Sequence, residues 1–340
     1  MDMRLAAAAV ARDVRDSSLV GQAVRRADHP RQPDLGPGLR SRHRRWPSGR
    51  HPVMLGRARP LEWGRGQKAL RHEVGRVVGL LRSVRNPTAP AIGDWNVAEV
   101  AMHLSQAWMA VPGLAGRDIS AIREVLPELT GPSLIRELWD LSELTSLGVR
   151  NDPERNCSVL ADRIEQRAAG YFAAIDQSAA AERRAWLVEG SEVALSTLTY
   201  HLLNETVVHG WDIARGDGQR WEVRADSACL VLEGFLIPVL RALGPRDFVD
   251  QVVASGLRAT YEIRVKGCRR YMFVFHDGAL SIEDPAGQPV DCIIDADPVA
   301  MLLVSWGRMH QSEAIVKRQL VASGPKDYLG PRFRGLMRNP

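Results

Sequence analysis

The sequence predicts a helical bundle followed by a small α+β domain, both behind an N-terminal extension with no core of its own. Three observations carry this expectation. Four long segments repeat apolar residues at three- and four-residue intervals, the signature of helices with one buried face. After Trp221 and one further apolar helix the repeat shifts to two, the signature of strands, and helical spacing then returns. Ahead of both, residues 1–65 combine 14 Arg with six prolines and little apolar periodicity. Such a composition buries too little surface to offset the entropy of ordering it.

Charge divides the chain in the same way. The 340 residues carry a net charge of +5, which at face value points to an acidic partner such as nucleic acid. Residues 1–65, however, hold 14 Arg against six acidic groups, a net of +8, and the rest of the chain carries −3. The basic character belongs to one end, so no specific nucleic-acid partner is expected. The extension reads as disordered and dispensable, with Met54 as one alternative start. Leu5 to Ala11 is short, mostly alanine and followed at once by Arg12 and Asp13, unlike a secretory leader.

The elements follow in order. Val74, Val77, Val78, Leu80, Leu81 and Val84 predict a first helix from about Lys68 to a stop at Asn86-Pro87. Asn96 is an N-cap candidate with Glu99 as its capping-box partner, opening a second helix whose stripe is Val97, Val100, Ala101, Leu104 and Trp108. A third is expected from about Pro153 to Asp176. The fourth is expected from about Ser191 to Arg215, ending in the turn Gly216-Asp217-Gly218. These four make a bundle over residues 66–220.

Residues 221–340 open with an apolar helix at about 226–243. Strands are expected at Ala259–Val265, Tyr271–Phe275, Ala279–Glu283 and Val290–Ile294, with His276-Asp277-Gly278 as a tight turn. Helices at Pro298–Trp306 and Gln311–Arg318, a short apolar run and a last helix complete an α+β domain. No apolar run reaches the ~18–20 residues of a membrane span. The nearest, 228–243, is broken by Glu233, Pro238 and Arg241. Cys157, Cys229, Cys268 and Cys292 lie far apart, without Cys-x-x-Cys spacing or a basic neighbour. The expectation is four buried thiols in a reducing cytoplasm, not a disulfide framework.

The fourth helix carries the chemistry. On a helical wheel Ala194, Leu198, His201, Leu202, Glu205, His209 and Asp212 share one face. A carboxylate and an imidazole one turn apart on an otherwise apolar face need a partner, because burying them unpaired costs several kcal/mol. A divalent metal meets that need. His103, on the core edge of the second helix, supplies a third ligand if the helices are neighbours; otherwise it is a hydrogen-bonded core histidine. Two His and one Glu with an open position match catalytic zinc sites. No phosphate-binding Gly-rich loop is present, and Trp95, Trp108 and Trp211 read as packing.

Two segments also carry a family resemblance. Asp94-Trp95-Asn96 through His103-Leu104 resembles the W-x7-H-L opening of the metal-binding domain in mycothiol-dependent maleylpyruvate isomerase-like proteins. Glu205-Thr206-Val207-Val208-His209-Gly210-Trp211-Asp212 is similar to that family's second motif, E-x-x-x-H-G-x-D. Leu257 to Leu336, including Trp306-Gly307-Arg308, resembles its C-terminal domain more loosely. The resemblance implies a DinB-like four-helix bundle joined to a sterol-carrier-protein-type domain. It implies metal ligation by His103, Glu205 and His209, with zinc as the default ion and mycothiol as thiol cofactor.

The implied reaction is isomerisation of a small electrophilic substrate, or S-transfer. In the isomerase a thiolate adds to a conjugated cis double bond, permits rotation and leaves. Arg308 is the candidate to steady the charge that develops, the alternative being an ordinary surface pair; Arg318 is a weaker candidate. Asp212 either fixes the tautomer of His209 or is a helix-end carboxylate bonded elsewhere. His201 shares the face and could replace a ligand, but the family motif places no metal contact there. The rival class is a non-catalytic, metal-stabilised carrier of a small apolar ligand or lipid.

Overall fold

In the computed structural model, residues 62–118, 120–127, 138–176, 184–188, 191–243 and 248–338 are described. The expected extension therefore lies outside the described residues, except for 62–65. Those residues begin α1 (Trp63–Arg82), which starts one turn earlier than the apolar repeat indicates. The indole of Trp63 donates to Thr199 Oγ1 at 2.9 Å and fastens that turn.

After α1 come a short hairpin, β1 (Pro90–Ile92) and β2 (Trp95–Asn96), and then α2 (Val97–Gly116). Asn96 accepts from the Glu99 backbone at 3.0 Å, and Glu99 accepts from the Asn96 backbone at 2.9 Å, so the expected capping box forms. Its stripe of Val97, Val100, Ala101, Leu104 and Trp108 is fully buried. Two further helices, α3 (Ser120–Val125) and α4 (Leu138–Asn151), precede α5 (Cys157–Asp176).

A second hairpin, β3 (Arg184–Val188) with β4 (Ser191–Ala194), leads into α6 (Leu195–Gly216). The fourth helix therefore starts four residues later than expected. Residues 191–194 are spent pairing with β3, which helical periodicity alone does not reveal. The bundle is formed by α1, α2, α5 and α6, with α5 and α6 each packed against both α1 and α2. That arrangement makes α2 and α6 neighbours.

The apolar segment after Trp221 is not one regular helix. It runs as α7 (Ala225–Val231), a π-helical turn at Leu232–Leu236, and α8 (Ile237–Leu243). An added Cβ at Gly234 would sit 2.2 Å from the ring of Tyr200, so this turn needs glycine to lie against α6. The buried Glu73 of α1 accepts from Arg76 at 2.6 Å and from Ser227 at 3.0 Å, tying α7 to the bundle.

The sheet contains β5 (Arg258–Val265), β6 (Arg270–His276), β7 (Ala279–Glu283), β8 (Cys292–Ala296) and β9 (Leu320–Ser323), in the order β7-β6-β5-β8-β9. The β5–β8 pair is parallel and the others antiparallel. Tyr261 pairs with Cys292, Ile263 with Ile294 and Val265 with Ala296, giving one buried face. The edge strand β9 is the short apolar run left unassigned by the sequence. Before it lie α9 (Pro298–Ser305) and α10 (Gln311–Val316); a 3-10 turn at Asp327–Arg332 and α11 (Phe333–Leu336) close the chain.

One expectation is overturned. Cys229 of α7 and Cys268 in the β5–β6 turn form a disulfide, their Cα atoms 5.5 Å apart. The residues are 39 apart in sequence and meet only because α7 packs beside the sheet, so spacing carries no trace of the pairing. Cys157 and Cys292 are buried free thiols. Burial pushes Cys157 up to about 11, which leaves it an inert thiol.

Candidate metal centre

Helix α6 supplies most of the site. It is buried on nearly every side, between α1, α2 and the π turn, so its polar residues must find partners inside the protein. Glu205 is 9% exposed. Nε2 of His103, reaching across from α2, lies 3.2 Å from Glu205 Oε2, and Nε2 of His209 lies 3.3 Å from the same oxygen. One donor atom from each of His103, Glu205 and His209 lies within 4.8 Å of the others. The two imidazoles meet edge to face, with ring centroids 4.6 Å apart.

This donor set fits a divalent ion. Two ligand atoms ~2.0–2.1 Å from one zinc ion at a tetrahedral angle stand roughly 3.3 Å apart, which is the spacing each imidazole keeps from Glu205. Burial pushes the Glu205 carboxyl upward, but the hydrogen bonds of His103, His201 and His209 outweigh it and hold it well below the usual carboxylate range. Burial lowers His103. Burial also works to lower His209, but Asp212 and Glu205 overcome it and raise the imidazole to about 9.

Behind His209 stands a second layer. Its Nδ1 is 3.0 Å from Oδ2 of Asp212, which is 1% exposed. Arg308, which follows α9, grips that carboxylate with both arms: Nε donates to Oδ1 at 3.2 Å and Nη2 to Oδ2 at 2.8 Å. Burial pushes Asp212 up, but the bonds from His209 and Arg308 hold it below its ordinary value. A carboxylate on the far nitrogen fixes the imidazole's tautomer and leaves Nε2 for a ligand.

The sequence expectations thus fall into place differently. His103, Glu205 and His209 come together, and Asp212 is bonded to His209 and to Arg308 at once. Arg308 is only 13% exposed and engaged by Asp212, so it is neither a surface pair nor a free cation. Arg318 is exposed, in a left-handed turn after α10. Trp108 is buried and donates to Thr206 Oγ1 at 3.3 Å, whereas Trp95 lies 5.4 Å from the His103 ring. Sequence reasoning missed the far side of Glu205. There Oε1 is 3.3 Å from His201 Nε2 and accepts from Asn204 Nδ2 at 3.3 Å. The i,i+4 spacing of His201 and Glu205 was the available signal.

Comparisons with known proteins agree with this architecture. Residues 68–214 match the model of the mycothiol maleylpyruvate isomerase N-terminal domain, and residues 242–328 match that of the SCP-2 sterol transfer family. A crystal structure of the mycothiol-dependent maleylpyruvate isomerase aligns with 77% of this chain and 93% of its own, at 12% identity and a TM-score of 0.45. A UbiJ-SCP2 ubiquinone synthesis protein aligns with 29% of this chain and 74% of its own, at 16% identity and a TM-score of 0.21. Among curated protein sequences none matches. The chain thus joins a domain similar to the mycothiol maleylpyruvate isomerase N-terminal domain, over residues 68–214, to one similar to the SCP-2 sterol transfer family, over residues 242–328.

Proposed function

We propose that this protein is a metal-dependent enzyme that uses mycothiol to isomerise a maleylpyruvate-like substrate or to join the thiol, through its sulfur, to a small electrophile. The observation that carries the reading is the convergence of His103, Glu205 and His209 at the meeting of α2 and α6. These three residues would hold the ion, with zinc the fitting choice for two imidazoles and a carboxylate. When bound, the ion supplies a Lewis-acid position that favours a thiolate over a thiol, and the thiol a reversible nucleophile for a conjugated double bond. Asp212 orients His209, and Arg308 holds Asp212. With its guanidinium paired to Asp212, Arg308 serves the centre by fixing Asp212, and through it His209, and not as an unpaired cation for the substrate.

The side chains of His103, Glu205 and His209 are 12–17% exposed, so the centre is recessed without being sealed from solvent. No described helix is long and apolar enough to cross a membrane. We assign the enzyme to the cytoplasm on the strength of the thiol cofactor; the Cys229–Cys268 bond weighs the other way. Residues 66–220 and 221–340 act as metal-binding and sterol-carrier-like domains in this reading.

The carrier reading has one observation in its favour. An apolar cavity walled by Leu236, Ile263, Tyr271, Phe273, Met301 and Val304 lies between the sheet and its helices, and no metal-site residue lines it. Its volume is about 80 Å³, well below the ~300–1,000 Å³ of pockets that enclose drug-sized ligands. The enzyme reading is therefore the stronger.

The test is direct. Purified protein should contain close to one equivalent of divalent metal, and His103→Ala and His209→Ala should lose it. Mycothiol consumption should follow metal content across a panel of electrophiles. Metal-free wild type that does not take up zinc would end the metal reading; bound metal without thiol chemistry would favour the carrier.

A further inference from the structure

The two oxygens of Glu205 have different neighbours. Oε2 faces His103 and His209, while Oε1 faces His201 and Asn204 on its own helix. His201 sits one turn before Glu205 and His209 one turn after, so the carboxylate is flanked along the same face of α6.

The ring of His201 is itself held in place. It stacks on Phe235, with centroids 4.4 Å apart and planes 4° from parallel. Phe235 lies in the π-helical turn and is nearly parallel to Trp306, 6.5 Å away. Nδ1 of His201 is buried and has no partner among the described residues. A neutral imidazole carries its proton where an acceptor awaits it, which here is Nε2, toward Oε1. The π turn matters because it presents Phe235 to the imidazole; such turns recur at functional sites.

We propose that His201 is a positioning residue of the metal centre: by donating from Nε2 to Oε1 of Glu205, it leaves a single oxygen, Oε2, to face the ion. This inference rests on the metal reading and deepens it. Without the His201 bond, Oε1 keeps only the Asn204 amide at 3.3 Å, and the carboxylate is less restrained from turning or binding through both oxygens.

The experiment uses Co(II) as probe metal, with affinity measured by chelator competition and coordination read from visible absorption. His201→Phe keeps a ring against Phe235 but removes the donor. His201→Asn keeps an amide but is too short to reach Oε1. Both should weaken Co(II) binding about tenfold or more, as the loss of an outer-shell partner typically does, and dim the absorption band as coordination number rises. His201→Gln, whose amide reaches the position of Nε2, should stay within about threefold of wild type with an unchanged spectrum. Melting temperatures in chelator separate these effects from folding. Wild-type affinity and spectrum in His201→Phe or His201→Asn would overturn the inference while leaving the metal reading intact. Equal damage in His201→Gln would overturn it in favour of direct ligation. Absence of Co(II) binding by wild type would remove both.

Discussion

Asp217, at the end of α6, illustrates how a single buried carboxylate joins distant segments. Its side chain is inaccessible to solvent. It accepts the backbone N–H of Asn86 at 2.6 Å, that of Arg85 at 3.0 Å, and Gln219 Nε2 at 2.8 Å. Burial raises its pKa, but these bonds outweigh burial and hold it below the ordinary value. A folded-state pKa below the unfolded one contributes stability that is complete above the unfolded value, ~4, and is lost as pH falls through the folded one. The difference in unfolding free energy between wild type and Asp217→Asn should therefore be constant above about pH 5 and shrink below about pH 4. Urea titrations across that range would measure it, and a pH-independent difference would refute the assignment. From the sequence, Asp217 was legible only as part of a helix-ending turn, because its backbone partners Arg85 and Asn86 lie about 130 residues away. Glu205 and His209 were legible as a pair, being four residues apart on one helix.

Among the elements, the helix boundaries set by local chemistry were the readable ones. The Asn96–Glu99 capping box fixes the start of α2 and hence the height at which His103 faces α6. The π turn after α7 has no such local signal; it follows from packing Gly234 against Tyr200. Gly234→Ala should destabilise the protein by about 1–3 kcal/mol, the usual cost of overpacking, and should loosen Phe235 from His201. Denaturant unfolding measures the first effect, and a Tyr200→Leu background that relieves the clash should recover most of it. The disulfide belongs to this scale as well, since it joins α7 to the β5–β6 turn. Thiol titration of unreduced, denatured protein should find two free thiols, Cys157 and Cys292, rising to four after reduction. Four before reduction would restore the sequence-based expectation.

In the molecule as a whole, the candidate metal centre draws on both the bundle and the C-terminal part of the described chain. The bundle provides His103, Glu205 and His209, while Arg308 and Trp306 come from the C-terminal part. Breaking the buried Arg308–Asp212 pair from one side leaves an uncompensated charge, so Arg308→Met should cost about 3–5 kcal/mol. It should also weaken metal binding through His209. Arg308→Lys should recover only part of this, since an ammonium lacks the guanidinium's fork; full recovery would show that charge alone matters. The sequence by itself determined the fold class, the bundle helices and the face on which Glu205 and His209 lie, because helical period and capping are local properties. Only the tertiary structure decided that α2 lies beside α6, that Arg308 grips Asp212, that His201 holds the far oxygen of Glu205, and that Cys229 meets Cys268. Those contacts depend on which surfaces pack together, and a one-dimensional pattern records which side of an element is buried without naming what buries it.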